Sequence, residues 1–159
     1  MKKFLLLPGQ TLLEAVIAIA LVGSIITGIT IAISSSLYSA DFSKNQHLAT
    51  GYAKEGIEIV RYLRNTDYNA FATKSGIYCL PIGSATLDTQ GKCPPTADLQ
   101  AFVREIEITQ NGCDTSVAAT KVTSSVSWSS SKCSDANNRH CHVSDITTCL
   151  TDYTVQPPL

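Results

Sequence analysis

Two sets of residues in this chain carry groups able to do chemistry. The first is Glu14, the only charge in an apolar run that extends from Leu12 to about Ile33. A carboxylate at the centre of a membrane helix costs about 2.5–3.5 kcal/mol on insertion scales, and less near an end. A group retained against that cost implies a function and a partner of opposite charge. The second set is Cys79, Cys93, Cys113, Cys133, Cys141 and Cys149, with His140 and His142 on either side of Cys141. Sulfur and imidazole together are the residue types of a zinc site. The spacing here matches no C-x₂₋₄-C or H-x₃₋₅-H pattern, and neighbouring side chains on a strand would point to opposite faces. No metal and no cofactor are expected. No Gly-rich phosphate loop, Ser/His/Asp order or metal-protease motif is present either, so the chain reads as a non-enzyme.

The elements that would position these residues are a long helix and a small sheet. No proline interrupts the chain from Thr11 to Asn65. Apolar or small residues recur at Tyr38, Phe42, Leu48, Ala49, Tyr52, Gly56, Ile59, Val60 and Leu63, a 3–4 spacing that puts them on one helix face. At 1.5 Å per residue the expected helix is about 80 Å long. Gly23, Gly28, Gly51 and Gly56 each weaken it by about 1 kcal/mol relative to Ala. Gly23 and Gly28 suit either a bend or close packing of small residues between membrane helices. Asn65-Thr66-Asp67 supplies the polar turn that ends it.

Residues 70–101 are mostly irregular, punctuated by Gly76, Pro81, Gly83, Gly91, Pro94 and Pro95. The stretch from Phe102 to Ile108 then alternates, with Phe102, Ile106 and Ile108 on one face. Asn111-Gly112 marks a turn. Val122, Ser124, Val126 and Trp128 mark the inward face of a second strand. A third, rich in Thr and Tyr, runs from about Val143 to Tyr153. Consecutive short strands pair as a meander, and its apolar face would bury on the second half of the helix. The expected fold class is α+β: a long N-terminal helix packed on a small antiparallel head with disulfides. Pro157-Pro158-Leu159 reads as a loose tail.

The N-terminus carries a more specific pattern. Lys2 and Lys3 precede Leu7-Pro8-Gly9-Gln10-Thr11-Leu12-Leu13-Glu14 and the apolar run. This resembles the prepilin leader and helix of type IV pilins and type II secretion pseudopilins, over Met1 to about Ile33. The resemblance implies cleavage after Gly9 by a membrane-embedded prepilin peptidase, leaving Gln10 as the mature N-terminus and substrate for N-methylation. It also implies an assembly role for Glu14, with Thr11 beside it. Gly23 matches a glycine common in the family. Gln10 stands where the family most often has Phe, and Ile31 where major pilins have a helix-kinking proline. Cleavage frees an α-amine with a pKa of about 7.7–8.0. In a filament that amine can lie beside the Glu14 carboxylate of a neighbouring subunit, removing two desolvation costs together.

On this reading residues 1–9 are the leader, 10–34 the membrane and assembly half of the helix, 35–66 its amphipathic half, and 67–159 the disulfide-rich head. All six cysteines then lie in an exported head, where an even count implies bridges. Fifteen full pairings are possible. The irregular segment holds Cys79 and Cys93, which pairs them. Cys133 and Cys141 flank the loop between the second and third strands and can close it. Cys113 follows the first strand at the edge where the third ends, which brings it to Cys149. Each bridge typically adds 2–4 kcal/mol.

The expected function is a structural subunit, a minor one, of a type IV pilus or related surface filament. It would be inserted in the cytoplasmic membrane with its N-terminus inside, then assembled outside the cell. Its partners would be other pilin subunits, the peptidase and N-methylase, and the membrane. The net charge of −1 gives no footprint for nucleic acid. Two alternatives stay open: a pseudopilin of a secretion or competence filament, and a membrane-anchored or secreted disulfide-rich domain with a binding or enzymatic role.

Overall fold

A computed structural model describes residues 8–87, 89–94, 101–113, 119–130, 133 and 140–151, with side chains from residue 12 onward. The basic leader through Leu7 and the tail Pro157-Pro158-Leu159 lie outside the described residues. So do the side chains of Gly9, Gln10 and Thr11.

The elements are α1 (Pro8–Thr66), α2 (Tyr68–Ala72), β1 (Gly76–Cys79), β2 (Thr89–Gln90), β3 (Phe102–Thr109), β4 (Ala119–Trp128) and β5 (His142–Thr151). The class is α+β. The chain divides into two compact units at Ser43 and Lys44.

In the first unit α1 carries its apolar side chains into the open. Leu12, Ile19, Ile31 and Leu37 are all more than 60% exposed, so nothing in this unit covers them. Four of its hydroxyls are satisfied by the helix itself. Ser24 donates to the carbonyl of Leu21, and Thr27, Thr30 and Ser34 donate to the carbonyls four residues back, all at 2.8–2.9 Å. A helix surface whose polar groups are satisfied by its own backbone can enter an apolar phase. A Cβ added at Gly23 or Gly28 would meet nothing within 4 Å, so contacts within the chain do not require glycine at either position.

The second unit is a five-stranded antiparallel sheet, order β2-β1-β3-β4-β5, with the last stretch of α1 on one face. The β3–β4–β5 meander is the expected core of it. Phe102 pairs with Trp128, and Trp128 with His142. Thr109 pairs with Lys121, so the 3–4 turn begins beyond Thr109, where Asn111 adopts a positive φ of 53°, a conformation Asn tolerates. β5 begins one residue before the expected start and is described to Thr151; the expected end at Tyr153 lies outside the described residues. The segment expected to be irregular contributes α2, β1 and β2. α2 starts where Asp67 ends α1, its Oδ1 accepting from the Ala70 N–H at 2.9 Å.

The core has two lobes. Ile57, Val60, Phe71, Tyr78, Leu80, Leu87, Ile106, Ile108, Val122 and Leu150 form the larger. Ala49, Ala53, Val126 and Trp128 form the smaller, with Tyr52, Phe102 and Ile146 against it. The buried stripe of α1 is therefore Ala49, Ala53, Gly56, Ile57 and Val60. The expected Ala49, Gly56 and Val60 lie in it, with Tyr52, Ile59 and Leu63 packed alongside; Leu48 and Phe42 do not, at 40% and 37% exposed, and Ala53 and Ile57 join. Small residues win because the helix must approach the sheet closely beside the bulky Trp128.

Gly56 marks the closest approach. A Cβ there would lie 2.5 Å from Ser124 Oγ and 3.1 Å from both Arg104 Cδ and Ile106 Cδ1. The Ser124 hydroxyl is buried without a hydrogen-bond partner among the described residues. Gly56→Ala is expected to destabilise the head by about 1–3 kcal/mol, as overpacking does. Ser124→Ala removes both an unsatisfied hydroxyl and the nearest clashing atom. It should stabilise the native chain by about 1 kcal/mol and recover part of the Gly56→Ala loss. Urea denaturation of the four chains in this double-mutant cycle measures the coupling.

Candidate functional site

Glu14 lies on the exposed surface of α1, flanked on that surface by Leu13, Ile17, Ala18 and Leu21. The described residues contain two ion pairs, Arg61 with Glu58 at 2.7 Å and Arg104 with Glu55 at 3.3 Å. Glu14 is in neither. Beyond Glu14 the next charge along the helix is Asp41 and the next cation Lys44. Within the unit that carries Glu14 the described residues therefore include no lysine or arginine. Gly9, Gln10 and Thr11 belong to the first turns of the same helix. The structure thus places the residues expected at the processing and assembly site on one helical segment, and it supplies no cation to Glu14 from the described part of the chain.

The helix is long and apolar enough to cross a bilayer. Length and composition alone do not distinguish that from a signal sequence or a core helix. The side chains of residues 12–37 are exposed, which sets this segment apart from a buried core helix.

Comparison with family models, with curated proteins and with solved structures finds no match.

In the head, disulfides join Cys79 to Cys93, Cys113 to Cys149 and Cys133 to Cys141, with Cα–Cα separations of 4.7, 6.2 and 5.6 Å. The first is tied into the sheet: Cys79 pairs with Glu105 across β1 and β3, and the Glu105 carboxylate accepts from the Cys93 N–H at 2.9 Å. Cys149 lies opposite Lys121 on β5. The structure does bring Cys133, Cys141 and His142 together, with candidate ligand atoms within 4.8 Å of one another. Cys141 precedes β5 instead of lying within it, so the alternation expected of a strand does not separate it from His142. Both sulfurs are bonded to each other, and a disulfide offers no thiolate to a metal.

Sequence reasoning missed Arg104. Strict alternation along β3 turns it inward with Phe102, Ile106 and Ile108, and it is 1% exposed. Its Nε donates to the Leu80 carbonyl at 3.1 Å, Nη1 to the Tyr52 carbonyl at 3.0 Å and Nη2 to the Pro81 carbonyl at 3.3 Å. Nη1 also pairs with Glu55. Burial pushes the guanidinium pKa below its ordinary value, and Glu55 opposes that shift. The signal was available: a basic residue in an inward register position demands acceptors.

Proposed function

We propose that this chain is a structural subunit, in keeping with a minor one, of a type IV pilus or related surface filament. It enters the membrane as a prepilin, is cleaved after Gly9, and polymerises through its N-terminal helix. The observation that carries this reading is Glu14: one carboxylate on an exposed apolar helix, with no cation within reach among the described residues. The freed amine of Gln10 on a neighbouring subunit is a partner that processing itself would create. Two opposite charges 4 Å apart attract by about 4 kcal/mol at an effective dielectric of 20, enough to favour the packed helix over the solitary one. The apolar surface around Glu14 and the self-satisfied hydroxyls of Ser24, Thr27, Thr30 and Ser34 suit a helix that exchanges lipid for sister helices. The disulfide-braced head would remain outside, as bridges require an oxidising compartment.

Mass spectrometry of the mature N-terminus, with immunogold labelling of sheared surface fibres, tests the reading. A polypeptide beginning at Gln10 and found in fibres is the expected result. One beginning at Met1 would indicate a plain membrane anchor, and one beginning near Asp41 an ordinary secretory signal.

A further inference from the structure

The three disulfides differ in their surroundings. Cys79 is 3% exposed, and its partner Cys93 has the Arg104 carbonyl oxygen 3.3 Å from Sγ. An acceptor there would repel a thiolate. Cys113–Cys149 has an exposed cysteine in Cys149, but no donor to either sulfur is found among the described residues. Cys133–Cys141 spans 8 residues, against 14 and 36 for the others, so opening it releases the least chain entropy. Cys141 is exposed and Cys133 half-buried.

Around Cys133 the donors converge. The Ser130 N–H donates to Cys133 Sγ at 3.2 Å, and Ser130 Oγ lies 3.9 Å from the same sulfur. That hydroxyl is 2.9 Å from His142 Nε2. The His142 ring lies over Trp128 with centroids 5.4 Å apart, which fixes its orientation. A disulfide sulfur carries no proton, so a Ser130 hydroxyl bonded to it must donate. His142 Nε2–H can then donate to Ser130 Oγ, and the three groups form a chain directed at Cys133.

We propose that Cys133–Cys141 is a thiol–disulfide exchange site, opened by attack of an external thiol on Cys141, with Cys133 leaving as a thiolate held by Ser130 and His142. The external thiolate forms a bond to Cys141 Sγ as the Cys141–Cys133 bond breaks, and the electron pair departs on Cys133 Sγ. The Ser130 N–H and hydroxyl stabilise that charge, and His142 supports the hydroxyl as donor. With a dithiol reductant, the second thiol attacks the reductant's sulfur in the mixed disulfide. Cys141 then leaves as a thiolate, the reductant departs oxidised, and two electrons have passed to the pair. Exchange is faster when the leaving thiol has the lower pKa, and hydrogen-bond donors lower it. The direction of attack follows from that asymmetry and from the exposure of Cys141. Ser130 and His142 are positioning residues. The site belongs to the head and does not depend on the filament reading.

The test treats the full chain in detergent micelles with glutathione under native conditions, followed by acid quench and peptide mapping. The first adduct is expected on Cys141, with Cys133 free to alkylate. Ser130→Ala, or His142→Phe, which keeps an aromatic ring against Trp128, should slow the reaction about threefold, the effect of one pKa unit at a coefficient near 0.5. Either change should also move part of the adduct to Cys133, a redistribution that loosened packing alone would not direct. The proposal is overturned by a first adduct on Cys133 or on either of the other bridges in the wild-type chain. Absence of any adduct before the head unfolds overturns it equally, and wild-type rate and adduct distribution in both variants overturn the leaving-group arrangement. The wild-type mapping decides the matter even if a variant does not fold.

Discussion

Glu14→Ala is expected to leave cleavage after Gly9 at the wild-type level while removing the chain from sheared surface fibres. The two outcomes separate because they draw on different chemistry. On the proposed reading, cleavage would need only the peptide bond between Gly9 and Gln10 presented to the peptidase, and Glu14 lies a full helical turn beyond it. Incorporation, on the proposed reading, needs a carboxylate to neutralise a neighbour's amine. Losing about 4 kcal/mol of pairing would lower the partition of a subunit into the polymer on the order of a thousandfold. The substitution simultaneously makes the lone helix more comfortable in lipid, because no ion remains to be buried. On the proposed reading both effects would keep the chain in the membrane. Glu14→Gln sharpens the result: it keeps size and hydrogen bonding but carries no charge, and should fail as Ala does. Quantifying the variants in membrane and sheared-fibre fractions checks this. Wild-type levels of either in fibres would refute charge pairing as the basis of assembly.

Much of the head was legible because its strands obey simple periodicity. Val122, Ser124, Val126 and Trp128 are all 1% exposed or less, as alternation requires, and the Asn111-Gly112 turn sits between paired strands. Bridge geometry is a consequence of that strand order, since a meander of three strands brings the end of the third beside the turn after the first. β1 and β2 were not legible. At four and two residues they are too short to show a period, and β1 is held by its neighbour, with Tyr78 opposite Ile106. Part of the helix face was not legible for a different reason. The expected Ala49, Gly56 and Val60 are buried, but counting large apolar residues also favours Phe42 and Leu48, whereas close approach to Trp128 brings in the small Ala53. The partner of Glu14 escapes both sequence and fold, because on the proposed reading it is on another molecule and exists only after processing.

Arg104→Ala is expected to be the most damaging single change in the head, at about 3–5 kcal/mol, the range found when one partner of a buried ionic network is removed. The guanidinium ties together three pieces of chain distant in sequence: Tyr52 and Glu55 on α1, β3 itself, and the turn through Leu80 and Pro81. The Leu80 N–H donates back to the Arg104 carbonyl at 3.0 Å, so the side chain completes a junction that the backbone begins. Without it the Leu80 carbonyl loses its donor, and an unsatisfied buried group costs about 1–3 kcal/mol, whereas the Pro81 carbonyl keeps the Ser84 N–H at 2.9 Å. A cavity of arginine's volume is added beside Gly56, where packing is already tight. Against a typical total stability of about 5–15 kcal/mol, the loss would leave the head marginal even with its disulfides closed. Arg104→Lys should recover only a minority of it: an ammonium on a flexible stem lacks the planar fork that reaches three carbonyls at once. Arg104→Met separates charge from volume. If it proves as stable as the wild type in urea denaturation, the guanidinium acts as filler and the junction argument fails; a loss close to that of Ala places the energy in the hydrogen bonds.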